Sequence, residues 1–133
     1  MGQKSTRVRI KPWGTEEVWA ENHHSVGKIL TIKGGHRLSR KYHKVKRHRI
    51  RILEGALTLE VGPHTHGGEV EVVQLQAPEA YFLDCNTIHR FCADEGPVVL
   101  LELSDAGPQD SVRLEDDYRR ITQLPSSWPQ SEK

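Results

Sequence analysis

A chain of 133 residues is the length of one domain and can bury about two-thirds of its unfolded surface. Hydrophobic residues are 35% and charged residues 28%, and no apolar run approaches the roughly 20 residues that span a bilayer, so a soluble protein without a membrane partner is expected. The formal net charge of +1 gives no global bias toward nucleic acid.

The first fourteen residues carry charge but no apolar h-region, so they do not read as a secretory signal, and a cytoplasmic location is expected. In chain order, Val18–Trp19, Val26–Ile32, Ile50–Leu53, Leu57–Val61, Val70–Leu75, Tyr81–Leu83 and Val98–Leu103 are short and rich in β-branched or aromatic residues, which predicts strands. Leu57–Val61 alternates apolar and polar residues, the pattern of a half-buried strand. Val98 to Leu101 is continuously apolar and predicts a central strand buried on both faces. Trp13-Gly14, Gly34-Gly35, Glu54-Gly55, Gly62-Pro63, Gly67-Gly68, Pro78 and Gly96-Pro97 separate these segments as turn formers. Many short strands at such spacing predict an all-β sandwich or barrel. One short helical turn is expected over Val112–Ile121, capped by Asp110 or Ser111. The chain therefore divides into a barrel over about residues 8–104, a C-terminal extension over 105–133, and a loose Pro/Ser-rich tail from about residue 124.

Charge and chemistry are unevenly placed. Residues 37–51 hold eight Lys or Arg and no acid, whereas Asp105 to Asp117 is mainly acidic. On alternating strand positions such a basic run points several cations to one side. Cys85 and Cys92 are too few for a disulfide scaffold and read as small, partly buried thiols of a reducing compartment. Of eight histidines, His23, His24, His64 and His66 fall in turns, and His64-Thr65-His66 reads as a solvated hairpin tip. His36 is a turn or pocket-rim candidate. Lys41 and His43 share a strand face, a turn before His48 brings it opposite them, and His89 begins another strand. Three imidazoles converging inside a barrel suit Zn, Fe, Mn, Co or Ni. Polar residues at strand ends are the equally weighted reading of that spacing.

The chain resembles the cupins. Their first motif, G-x5-H-x-H-x4-E-x6-G, is met in register by Gly35-x5-Lys41-x-His43-x4-His48-x6-Gly55. The second, G-x5-P-x-G-x2-H-x3-N, is met by Pro78-x5-Asp84-x-Asn86-x2-His89-x3-Ala93, without its glycines and proline. Four further blocks are similar to the cupin domain of type II mannose-6-phosphate isomerases: Lys11-Pro-Trp-Gly-Thr-Glu16, Val26-Gly-Lys-Ile-Leu-Thr-Ile-Lys-Gly-Gly-His-Arg-Leu-Ser39, Thr87-Ile-His-Arg90 and Arg113-Leu-Glu-Asp-Asp-Tyr-Arg-Arg120. The resemblance spans about residues 8–120. It implies a single cupin barrel, that is, a double-stranded β-helix or jelly roll, and a homodimer. It also implies a divalent transition metal and metal-dependent aldose/ketose isomerisation of a sugar phosphate through an enediol.

The departures from that pattern bear on the site. The resemblance implies metal ligands at the positions of Lys41, His43, His48 and His89, where the family has Gln or His, His, Glu and His. His43 and His89 match, and His48 substitutes one metal-binding group for another. Lys41 has no lone pair until it loses its proton. Either it turns away, or it is neutral, or the metal is weak or absent. A buried Lys41 would have a lowered pKa, which makes it a candidate general base. Arg113 or Arg120, with Arg37, Arg40 or Arg51, would engage an anionic sugar. The family's Tyr-Gly-Arg ending is Tyr118-Arg119-Arg120 here, which bears on where Arg120 is placed. Two other readings compete: a three-histidine Fe(II) dioxygenase, and a barrel that binds a sugar without turning it over.

Overall fold

The computed structural model describes residues 7–64 and 69–120. In chain order the strands are β1 (Arg7–Lys11), β2 (Gly14–Glu21), β3 (Ser25–Ile32), β4 (Arg40–His43), β5 (His48–Glu54), β6 (Ala56–Pro63), β7 (Glu71–Gln76), β8 (Ala80–Leu83), β9 (Thr87–Cys92), β10 (Val98–Asp105) and β11 (Ser111–Glu115). They form a six-stranded sheet, β1-β2-β3-β10-β5-β8, and a five-stranded sheet, β11-β4-β9-β6-β7. Every strand pairing is antiparallel.

The turns follow from local chemistry. Between β2 and β3 the Asn22 side-chain oxygen accepts the N–H groups of His24 and Ser25, an Asx turn. Gly14 enters β2 with φ of 152°, and a side chain there would strike the Thr31 carbonyl, so only glycine fits. Inward-facing Ile32, Ile50, Ile52, Leu57, Leu59, Leu83, Val98 and Leu100 are fully buried between the sheets. Burying each such side chain stabilises the fold by about 1.5–3 kcal/mol before entropy is counted.

Three expectations need correction. No helical turn forms over Val112–Glu115: this segment is β11, which pairs with β4 through Val112↔Tyr42 and Arg113↔Lys41. The exposed edge of β4 supplies the hydrogen-bond partners that a single isolated helical turn would lack. Asp110 caps no helix and instead accepts hydrogen bonds from the amides of Val45 and Lys46. Gly62-Pro63 is no separator, because β6 continues through both residues, opposite Ile88 and Thr87 of β9. Proline is tolerated there because it is the last residue of its strand. Finally, β10 is central, between β3 and β5, but only one of its faces is sealed: Val99 and Leu101 are half-buried on the outside of the sheet. Gly67-Gly68, His66, Ile121 and the tail from about residue 124 lie outside the described residues.

The segment after β11 is fastened by charge. Arg90, 1% exposed, donates to the Leu38 carbonyl and pairs with Asp117 at 3.0 Å and with Glu115 at 3.5 Å. Arg37 makes a two-bond contact to the same Asp117. Arg119 takes φ of 63°, the left-handed conformation in which glycine is most at ease. The turn therefore keeps a glycine-like backbone, and Asp116 accepts from both the amide and the guanidinium of Arg120.

Candidate functional site

A cavity of about 160 Å³ opens between the sheets at one end of the barrel. Its wall includes Trp13, Glu16, Lys28, Lys41, His43, His48, Glu102, Arg113 and Arg120. Each strand delivers these groups through alternation: Lys28 with Leu30 on β3, Lys41 with His43 on β4, and His48 with Ile50 on β5.

The three histidines come together, although not as a hairpin across one turn. His48 lies on β5 in the six-stranded sheet, and His43 and His89 lie in the other. The rings meet across the barrel, with centroids 4.1 Å apart for His43 and His48, 5.7 Å for His43 and His89, and 6.0 Å for His48 and His89. His43 and His48 are on the cavity wall, whereas His89, 2% exposed, sits behind it. Lys41 is directly opposite His89 in the β4–β9 register.

Hydrogen bonds fix two of the imidazole tautomers. Nδ1 of His43 is 2.8 Å from the Asp110 carboxylate, which can only accept, so Nδ1 carries the proton and Nε2 keeps its lone pair. Nδ1 of His89 faces the Thr87 carbonyl at 3.1 Å with the same consequence. Nε2 of His89 is buried and has no hydrogen-bond partner among the described residues. A carboxylate or carbonyl behind Nδ1 and a bare Nε2 in front form the arrangement that orients imidazoles toward a metal.

Charge in the cavity is disfavoured at this end. Burial, then the neighbouring His48, holds His43 down to about 4 against the pull of Asp110. Burial and Lys41 hold His48 down to about 4 as well. His89 is held well below the ordinary imidazole value by burial and by Lys41. Burial also lowers the Lys41 ammonium; Glu102 opposes this, while Arg113 and Lys28 add to it. Burial works to raise the Asp110 carboxyl, but the amides of Lys46 and Val45 and the His43 ring together hold it well below the usual carboxylate range. At neutral pH the three imidazoles are uncharged and available as lone-pair donors, and burial makes the Lys41 ammonium easier to deprotonate.

The donor chemistry therefore fits a divalent transition metal held by His43, His48 and His89. The packing is less complete: among the described residues, no three His, Cys, Asp or Glu side chains close on one point as an ion requires.

The anion-binding candidates divide. Arg113 and Arg120 are on the cavity wall, where Asp116 holds the Arg120 guanidinium through two hydrogen bonds and Arg113 donates to the Arg120 carbonyl. Arg37 is held by Asp117, and Arg40 by Glu60 and Glu115, so both are spent on the outer ion-pair network. Arg51 is exposed on the outer face of the six-stranded sheet. His36 faces Tyr118 at 6.5 Å and does not line the cavity. His23, His24 and His64 are exposed, with His64 stacked on Tyr42 at 3.8 Å. Both cysteines are free thiols, and burial raises Cys92 to about 11. Sequence reasoning missed Glu16, Lys28, Glu102 and Asp110 as site residues. Strand parity puts Lys28 and Glu102 inside with Leu30 and Leu100, a signal that was available once the apolar face was known. Asp110 arrives from a loop and carried no such signal.

No family model matches the chain, and no curated relative matches it. Solved structures do. The capsular polysaccharide assembling protein CapF from Staphylococcus aureus aligns with TM-score 0.74 at 12% identity, over 84% of this chain and 34% of that one. KdgF from Halomonas sp. aligns with TM-score 0.64 at 15% identity, over 79% of this chain and 88% of that one. A cupin 2 conserved barrel domain protein from Rhodopseudomonas palustris aligns with TM-score 0.59 at 17% identity, over 73% of this chain and 63% of that one. The chain thus spans about a third of CapF, and at these identities the likeness concerns fold alone. The two facing antiparallel sheets, the cavity at one end and these neighbours give one answer: the chain folds as a cupin jelly roll.

Proposed function

We propose that this cupin binds a sugar phosphate together with a divalent metal and interconverts aldose and ketose forms through an enediol. One observation carries the reading: a cationic rim of Arg9, Lys11, Arg113 and Arg120 belongs to the same small cavity as the neutral imidazoles of His43 and His48 and the Lys41 amino group, whose ammonium form burial disfavours. The rim suits a phosphate dianion. Glu16, Ser39 and Glu102 on the wall suit sugar hydroxyls. Held in this way, the sugar presents its carbonyl end to Lys41. Lys41, whose ammonium form burial disfavours, takes the proton alpha to the carbonyl as its amine and returns it to the adjacent carbon. A metal on His43, His48 and His89 would supply the electrophile that polarises the two sugar oxygens. Asp110 keeps the His43 ring in its tautomer throughout. We further propose a cytoplasmic location, in keeping with two free thiols.

Deuterium exchange tests the reaction. In D2O with mannose 6-phosphate and added Zn, Mn or Co, deuterium is expected to enter at C2, as read by proton NMR. Lys41→Gln is expected to slow that exchange by about 100-fold. If the variant exchanges normally and gains metal affinity, Lys41 is a structural charge and not the base.

A second reading is binding without turnover, and the open arrangement of the donors favours it. Saturable calorimetric binding of the sugar phosphate, with no exchange under any of the three metals, would establish it.

A further inference from the structure

The segment that follows β11 is tied down at a point outside the cavity, and the tie lies close in sequence to a residue of the cavity wall. Arg90 stands on β9 between His89 and Phe91, on the opposite face of the strand from both. It is 1% exposed, and its guanidinium reaches in two directions. Nε donates to the Leu38 carbonyl at 2.8 Å, and a terminal nitrogen donates to Asp117 at 3.0 Å. Arg37 closes on the same carboxylate with two further bonds, of 2.8 and 3.0 Å. The adjacent Asp116 has a fully buried side chain that accepts from the amide and from two guanidinium nitrogens of Arg120. Leu38 and Arg120 line the cavity, whereas Arg90, Asp116 and Asp117 do not.

We infer that Arg90 and Asp117 are positioning residues for anion binding: they anchor the turn after β11 so that Asp116 holds Arg120 in one fixed orientation on the cavity wall. The inference rests on the proposed sugar-phosphate reading and assigns the part of the fold that prepares the phosphate end of that site. A guanidinium carries five N–H donors, and Asp116 takes one from Nε and one from a terminal nitrogen of Arg120. The other donors stay available to a ligand, in a plane that is already set. The Arg120 guanidinium also lies over the Tyr118 ring, 5.5 Å from its centroid, so a clasp at Asp117 fixes the carboxylate on one side of it and the aromatic seat on the other. The turn needs such an anchor because Arg119 holds φ of 63°, which costs a non-glycine residue backbone energy. Arg9 on the same rim is held less firmly: it meets Glu16 at 3.6 Å and its side chain is 54% exposed, against 25% for Arg120. A long side chain ordered in advance spares the ligand the entropy of ordering it, which corresponds to as much as about tenfold in affinity. Lysine at position 90 would not serve, because an ammonium lacks the planar fork that spans the Leu38 carbonyl and the Asp117 carboxylate.

Titration of the intact chain with inorganic phosphate, followed by phosphorus NMR, tests the clasp. Arg90 is buried, so the cut is made on its partner: the Asp117 side chain is 39% exposed, and Asp117→Asn is expected to stay folded by circular dichroism. This variant is expected to bind phosphate about tenfold more weakly than the wild type. Arg120→Ala is expected to weaken binding as well. Adding Asp117→Asn to Arg120→Ala is expected to change nothing further, because the clasp acts through Arg120. A purely structural role would lower the urea midpoint of Asp117→Asn and leave its phosphate affinity unchanged, and that result overturns the inference. So does a loss that persists in the Arg120→Ala background, which would show that Asp117 acts by another route. A wild type that binds no phosphate removes the sugar-phosphate reading and the inference with it, whereas wild-type binding that survives intact in Asp117→Asn removes the inference alone.

Discussion

The two ends of the barrel interior are built from the same strands and obey opposite rules. On β3 the inward positions run Ile32, Leu30, Lys28; on β5 Ile52, Ile50, His48; on β9 Phe91, then His89; on β10 Val98, Leu100, Glu102. Ile32 pairs with Val98 at one end, and Lys28 pairs with Glu102 at the other. Four strands thus change from apolar to polar at the same level. The apolar end lowers the free energy of folding through burial. The polar end works against it, because imidazoles and an amine lose hydration there and gain few partners. Stability is concentrated in one half of the barrel and chemistry in the other.

The sharpest break in that contrast comes from the apolar end. Phe91 is 2% exposed and packs beside His89, with ring centroids 5.6 Å apart. Phe91→Ala is expected to cost about 3–5 kcal/mol in urea denaturation, the usual loss for a buried aromatic ring. A loss under 1 kcal/mol would mean that the two ends are not distinct in stability.

Acid should weaken the polar end first. The folded chain holds His43 and His48 at about 4, below the usual 6.5, and lowers His89 as well. As pH falls below 6.5 the unfolded chain binds protons that the folded chain refuses, so stability drops, and it continues to drop until about pH 4. Local opening of this end limits the total loss. The lowered carboxyls of Asp105, Asp116 and Asp117 add their loss only below the ordinary carboxylate range, so they do not mimic the effect. Urea unfolding at pH 7, 5.5 and 4.5 reads the slope; a flat profile across these points would mean that the imidazoles are not buried and neutral.

The same contrast explains what could be read from sequence. The apolar end was legible because β-branched runs between Gly and Pro turns have few other uses, and β3, β5, β6, β7, β8 and β10 all lie where those runs fall. The basic strand β4 and the mixed strand β9 were visible only through their histidines. Strands β1 and β11 are charged and lie at the sheet edges, so local pattern could not distinguish them from loop or helical turn. The triad His43, His48 and His89 was legible from motif spacing. Its supports were not: Asp110 lies 67 residues from His43, and the surroundings that shift Lys41 include Lys28 of β3 and Glu102 of β10. Parity on a strand can be read locally, but contact across the barrel cannot.

The smallest expected effect is the most specific to the contrast. Replacing His89 by Leu extends the apolar rule by one position on β9. The change removes a buried Nε2 that has no partner among the described residues, which favours the variant. It also removes the 3.1 Å bond to the Thr87 carbonyl, a loss of about 1 kcal/mol. The side chains are similar in volume, so no cavity opens. The balance predicts a variant at least as stable as the wild type, by up to about 1 kcal/mol at pH 7, with a shallower acid slope because one depressed imidazole is gone. Metal uptake, measured by plasma mass spectrometry, is expected to fall in the same protein. Greater stability together with lost metal would show that His89 is kept for binding at the expense of the fold. A loss of 2 kcal/mol or more would instead make the histidine a structural member of the core, and the boundary between the two ends would move past it.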